Sequence, residues 1–446
     1  MLFRSGLVTS EAGATATFAV VLNSRPEADV VIPVASSASN EGSSSATQLT
    51  FTAADWNVAQ TVTVTGVDDA IQDGDVAYTI VLGAASSTDP RYAGLDATDV
   101  QVKNTDNDAA GITVTPTAGL MTSEAGGTAT FAVVLASEPT AVVTIPVSSN
   151  RTDEATVSSA SLTFTASDWN VPQTITVTGV DDRRQDGDVA FTIALGAAVS
   201  TDAHYAGLDP ADVTGENMDD DVADITVTPV AGLVTSEAGA VSHFEVALSS
   251  QPTADVIIPV SSSNTAEGTL LVTQIHFTPA NWNAPQSVTV TGADDHVQDG
   301  DVAYSIVLGA AVSNDARYAG KDPVDVSVTN TDDDIAGFTV TPTAGLVTTE
   351  AGGSASFTVV LTSQPTADVV IPVTSSALAE GVVPVSDLTF TAVNWNLPQT
   401  VAVTGVDDAV QDGDQAYLIS LMPAVTVDPL YSGMDATDVA VTNTDD

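Results

Sequence analysis

Residues Thr65–Tyr78 read TGVDDAIQDGDVAY, and the stretch returns as TGVDDRRQDGDVAF from Thr178, TGADDHVQDGDVAY from Thr291 and TGVDDAVQDGDQAY from Thr404. Each copy opens on the end of one Val/Thr-rich run and closes on the start of another, so its acids fill a loop between two strands. In the first copy four carboxylates (Asp68, Asp69, Asp73 and Asp75) lie within eight positions, with Gly74 among them.

Outward from this loop, the whole chain repeats. Glu11, Glu124, Glu237 and Glu350 are each 113 residues apart, and so are Trp56, Trp169, Trp282 and Trp395. Solenoid repeats run to about 20–50 residues, so a period this long means tandem domains. Acidic ends mark the boundaries: NTDND (Asn104–Asp108), NMDDD (Asn217–Asp221) and NTDDD (Asn330–Asp334). The modules are therefore 1–108, 109–221, 222–334 and 335–446. The first lacks the ITVTP-type strand that opens the other three, and the last stops at Asp446, one residue short of a third terminal Asp. Both ends read as cuts in a longer repeat array. The linkers are short and not Gly/Ser-rich, which favours stacked modules and an elongated rod over flexible tethering.

The signals within a module are all β. In the second, Val-, Thr- and Ile-rich runs predict a split first strand (Ile112–Pro116 and Leu120–Ser123). The others are Thr128–Leu135, Val142–Val147, Ser161–Phe164, Gln173–Val180, Val189–Leu195 and Ala211–Thr214. About seven short strands in such a length predict an immunoglobulin-like β-sandwich, here without its cysteine pair.

Composition sets outer limits. Against 58 acids stand 9 Lys plus Arg, a net charge of −49, yet 43% of residues are hydrophobic. The chain is therefore folded, with an acidic surface. Nucleic acid and anionic membrane are poor partners, and divalent cations good ones. The absence of cysteine excludes disulfides and thiol chemistry. MLFRSGLVTS is no signal peptide, and no apolar run approaches the roughly 18 residues of a membrane helix. A signal for export would lie outside this chain.

Alternate loops of an antiparallel sandwich share one end. The first turn (Glu11), the connection after the third strand (Glu41), the Asp68–Asp75 loop and the exit (Asp106, Asp108) therefore converge at one pole. So many like charges repel unless something neutralises them. Ca²⁺ takes six to eight oxygens and suits the crowd; Mg²⁺ demands stricter geometry, and Zn²⁺ prefers His or Cys. The four His occupy different module positions. The bland rival is a solvated acidic surface, which would not need four segments to converge.

SEAG, LTFTAADWN, TVTVTGVDD, DGDVAY and NTDND, in that order, resemble the Calx-beta domain pattern across all four modules. The variant is similar to repeats of large bacterial surface proteins and adhesins. The resemblance implies several Ca²⁺ per chain, held in the first module by Glu11, Glu41, Asp68, Asp69, Asp73, Asp106 and Asp108, with Asp75 beside them. In the second it implies Glu124, Glu154, Asp181, Asp182, Asp186, Asp188, Asp219 and Asp221, where the exit departs to GENMDDD. In the third the set is Glu237, Glu267, Asp294, Asp295, Asp299, Asp301, Asp332 and Asp334. In the fourth it is Glu350, Glu380, Asp407, Asp408, Asp412, Asp414 and Asp445.

Elsewhere, Trp56 and its copies are expected to cap the core at the opposite pole rather than to stack on sugars. The segment Ser87–Val100 is expected to be an ordered loop anchored by Tyr92, in preference to a second ion site. No GxSxG, HExxH or P-loop is present, so the expectation is a protein that is not an enzyme. The expected role is a calcium-stiffened structural and adhesive region of an exported bacterial surface protein, extracellular or on the cell surface. Its partners would be calcium, neighbouring repeats, other surface proteins or glycans. The alternatives are a carbohydrate- or protein-binding module array and a filament or surface-layer subunit.

Overall fold

The computed structural model describes residues 6–407 and 410–446, and among them every regular element is a strand. The chain divides into two compact units, Met1–Asp220 and Asp221–Asp446, each holding two copies of the repeat. The second copy serves as the example. Its strands are β1 (Ile112–Thr115), β2 (Leu120–Ser123), β3 (Thr128–Leu135), β4 (Val143–Ser149), β5 (Ala155–Val157), β6 (Ser161–Phe164), β7 (Gln173–Gly179), β8 (Val189–Leu195) and β9 (Val213–Met218).

They form two facing sheets, ordered β2-β9-β8-β4-β6 and β5-β7-β3-β1. β2 runs parallel to β9, and the remaining pairs are antiparallel. This is an immunoglobulin-like sandwich, and the first strand is split between the sheets as expected. Alternation builds the core: Ile175 and Val177 of β7 point inward while the intervening threonines stay half-buried. Phe131, Phe164 and Phe191 are buried to 2% exposure or less. Each such ring contributes about 1.5–3 kcal/mol by leaving water. Trp169 packs against this core, and Trp56, Trp282 and Trp395 do the same in their own repeats. The capping expectation for the tryptophans therefore holds.

Strand expectations shift in several places: Val142–Val147 is found as Val143–Ser149, and Ala211–Thr214 as Val213–Met218. The last strand begins at Val213, not Ala211, because the Asp212 carboxylate accepts the Leu195 N–H at 2.9 Å and holds that residue out of the ladder. β5 has no counterpart in the sequence reading: its three residues are too short to show alternation. It pairs with β7, so the chain crosses from one sheet to the other between β4 and β6.

β5 matters because it places Glu154 immediately before it at the acidic end. Backbone hydrogen bonds then stitch that end together. Glu124 N–H donates to the Met218 carbonyl (3.0 Å), Gly179 to Gly127 (3.0 Å) and Val180 to Glu154 (2.9 Å). The first repeat does the same through Glu11 to Thr105 (3.1 Å) and Val67 to Glu41 (3.0 Å). Gly42, the first residue of the equivalent short strand, leaves room for the Tyr78 hydroxyl that a Cβ there would strike. In the second repeat Phe191 lacks that hydroxyl and Ala155 takes the glycine's place.

Candidate metal centre

The stitched segments bring carboxylates from distant sequence into two adjoining groups. In the first repeat, oxygens of Glu11, Asp68 and Asp108 all lie within 4.8 Å of one another, and so do those of Glu41, Asp69 and Asp73. The second repeat repeats the latter group as Glu154, Asp182 and Asp186. Glu124, Asp181 and Asp220 supply the other there. Asp220 stands at the position of Asn107, which in the first repeat donates its amide to Asp68 (3.3 Å).

Burial is uneven. Glu11 and Glu41 are each 4% exposed, whereas Asp68 and Asp73 face solvent. Two buried glutamates thus floor a cup whose rim is aspartate. Burial, then the nearby Asp106, Asp69 and Asp108 charges, push the Glu11 carboxyl up to about 7 against the relief of the Asn107 N–H. Glu124 and Glu237 are likewise pushed up to about 7, chiefly by burial. Burial and neighbouring acids also raise Glu41, Asp73 and Asp108. One buried oxygen, Asp108 Oδ2, has no hydrogen-bond partner at all. An orphaned anionic oxygen in a cup of crowded carboxylates fits a hard divalent cation such as Ca²⁺.

The rim is shaped by the exit acids. Asp106 Oδ2 accepts the Gly74 N–H (2.7 Å), and its Oδ1 accepts Asp108 N–H (2.7 Å). The same glycine bond recurs from Gly187 to Asp219 (2.6 Å), Gly300 to Asp332 (2.7 Å) and Gly413 to Asp445 (2.7 Å). Gly74 has φ 78°, a conformation costly for other residues, which explains a glycine at this point of every copy.

The remaining sequence-predicted residues fall as follows. Asp75 turns away from the cup: it pairs with Lys103 (2.6 Å) and accepts the Asp106 N–H (3.3 Å). Asp188 and Asp301 accept the matching Asp219 and Asp332 N–H groups. Burial is the first cause that raises Glu267 and Asp299; the charges of Asp299, Asp295 and Asp332 add to it at Glu267, and those of Asp295 and Asp332 at Asp299. Asp294 and Asp334 approach one another in the third repeat. Asp221 is half-buried at the start of the second unit. In the fourth repeat Glu350 is buried and Glu380 accepts from Asn443 (3.4 Å), while Asp407, Asp412 and Asp414 are exposed. Asp408 lies outside the described residues.

Two residue types at this end escaped the sequence reading. Asn104, 1% exposed, accepts from Thr9 and donates to the Val67 carbonyl, locking the loop to the exit strand. Its copies Asn217 and Asn330 also reach Glu154 and Glu267. Gln72 accepts Ala110 N–H (2.6 Å) and the Ala70 carbonyl accepts Glu138 N–H (2.6 Å), so the acidic loop bonds directly to the next repeat. In the second unit Gln298 accepts Ala336 N–H (2.7 Å), and the His296 carbonyl accepts Gln364 N–H (2.7 Å). The recurrence of both Asn and Gln in every copy was the available signal.

The far end holds acids of another kind. Asp89, 1% exposed, accepts from Glu27 N–H and the Arg91 guanidinium, while Tyr92 bonds Ser24. The loop is anchored as expected.

No protein-family model matches this chain, and no curated protein matches it. Solved structures that align with it include CBD12 from CALX1.2, at 12% identity over 49% of this chain and 98% of that one, TM-score 0.25. The Calx CBD1 domain aligns at 15% identity over 26% of this chain and 100% of that one, TM-score 0.20. Mouse cadherin-23 EC22–24 aligns at 10% identity over 76% of this chain and 99% of that one, TM-score 0.32. Scores this low carry no argument about function. What stands is a tandem array of immunoglobulin-like β-sandwiches, with structural matches that include Calx calcium-binding domains.

Proposed function

We propose that each repeat, taken as 1–108, 109–221, 222–334 and 335–446, binds Ca²⁺ at its acidic end, and that the ions stiffen the joint to the following repeat within a unit. The observation that carries this is the first repeat's cup, where Glu11, Asp68 and Asp108 adjoin Glu41, Asp69 and Asp73 around the orphaned Asp108 oxygen. The loop that supplies the rim also supplies Ala70 and Gln72 to the next repeat. An ion that fixes the loop therefore fixes the contact. The buried glutamates, the rim aspartates and the exit acids act as ligands. The cation supplies charge neutralisation, which releases the mutual repulsion.

The chain then acts as a structural and adhesive repeat region of an exported bacterial surface protein, binding rather than catalytic. Repetition of one acidic end through the chain supports that role.

The test is calorimetric titration of Ca²⁺ into the full chain, joined to melting curves. We expect several ions per chain and, with [Ca²⁺] near 100 Kd, about 2.7 kcal/mol of added stability per site. That corresponds to a rise of more than about 10 °C over EDTA. No binding heat together with superimposable melts would sink the proposal.

A further inference from the structure

We propose that the third repeat's acidic end also takes a borderline transition cation of the Zn²⁺ class, through His296 with Asp294 and Asp334. The proposal rests on reading these ends as cation sites, and it concerns one end that differs from its copies.

The position after the paired aspartates is Ala70 in the first repeat, Arg183 in the second and His296 in the third. Only the imidazole offers a neutral nitrogen ligand. One ligand atom each from His296, Asp294 and Asp334 lies within 4.8 Å of the other two. His296 Nδ1 already stands 2.8 Å from Asp294 Oδ1. The His296 and Asp294 side chains are 57% and 42% exposed, so modest rotation closes the set on an ion.

The ring is also positioned from outside the cluster. It packs at 5.9 Å against Trp395 of the fourth repeat, and Gln364 N–H of that repeat binds the His296 carbonyl. The imidazole is thus presented to the two carboxylates by the neighbouring repeat. Mixed imidazole and carboxylate donors favour zinc, nickel, cobalt or copper over calcium, which takes oxygen alone. Three protein ligands leave a further position for water, as in open zinc sites. Zinc-class binding would therefore join the third repeat to the fourth through His296.

The probe is Zn²⁺ titrated calorimetrically into the full chain, with Co²⁺ quenching of tryptophan emission as a second reading. We expect His296→Asn, which tolerates the φ of 65° found there, to lower zinc affinity by about tenfold or more, well beyond any change in the Ca²⁺ titration. Co²⁺ should quench about a quarter of the parent's emission, since Trp395 is one of four tryptophans. Trp395→Phe should remove that quench while zinc still binds, which keeps the test open if His296→Asn misfolds. Unchanged zinc affinity in His296→Asn, no zinc binding by the parent, or a quench that survives Trp395→Phe would each overturn the inference. Zinc binding through His296 without Ca²⁺ binding would uphold it and remove the calcium reading; the reverse pattern would do the opposite.

Discussion

The two ends of each sandwich are both rich in aspartate and glutamate, and they treat charge in opposite ways. At the far end each buried carboxylate has its own donors. Asp428 is 2% exposed and accepts from Thr366 (2.7 Å) and Leu430 (2.9 Å) N–H groups. Burial works against its charge, yet those N–H groups outweigh it and hold the carboxyl below the usual range. At Asp89 the Arg91 guanidinium does the same. At the other end the acids face one another, and Glu11, Glu124 and Glu237 are driven up to about 7. The lesson is that a buried acid is structural where its donors outweigh burial, and a ligand candidate where burial and neighbouring acids outweigh a single backbone donor.

The largest way to break this contrast is Asp428→Ala. It leaves two backbone donors without acceptors, and we expect a loss of about 3 kcal/mol in urea melts, the same with and without Ca²⁺. A calcium-dependent loss would dissolve the distinction between the ends.

The pH dependence sharpens it. Glu11, Glu124 and Glu237 bind protons more tightly folded than unfolded, so their contribution falls as pH rises from about 4.5 to about 7. In calcium-free buffer, moving from about pH 8 to about pH 5.5 should stabilise each of the first three repeats by on the order of 1–2 kcal/mol. Glu11→Gln should remove the first repeat's share, and Ca²⁺ should suppress the effect. The lowered Asp428 has the opposite sign: its contribution is present above its ordinary pKa and is lost as pH falls below it. A flat profile across that window would contradict the pushed-up glutamates.

The smallest effect belongs to Lys103→Ala. The Lys103–Asp75 pair is nearly half-exposed on both sides (46% and 45%). Its loss should move the melting temperature by less than about 2 °C. A larger shift would mean that Asp75 belongs to the cup after all.

Much of this was legible in the chain. Strands of the Gln173–Gly179 kind show period-two alternation, and the 113-residue period multiplies the signal fourfold. Loop order alone brought Glu11, Glu41, the Asp68–Asp75 loop and the exit to one end. What escaped shows no strand alternation of its own: the three-residue strand Gly42–Ser44 beside Glu41, and Asn104, which recurs in every copy but whose role, holding the Val67 carbonyl, only the fold reveals.

The sequence by itself determined the repeat, the sandwich and the end at which each acid lies, because strand alternation and loop parity are properties of local order. Only the tertiary structure decided which partner each carboxylate meets. Asp75 finds Lys103 and Asp89 finds Arg91, while Glu11 finds Asp68 and Asp108. The reason is physical. A carboxylate's proton affinity and its use are set by the charges and donors within a few ångströms, and the groups that meet Glu11 come from 57 and 97 positions further along the chain.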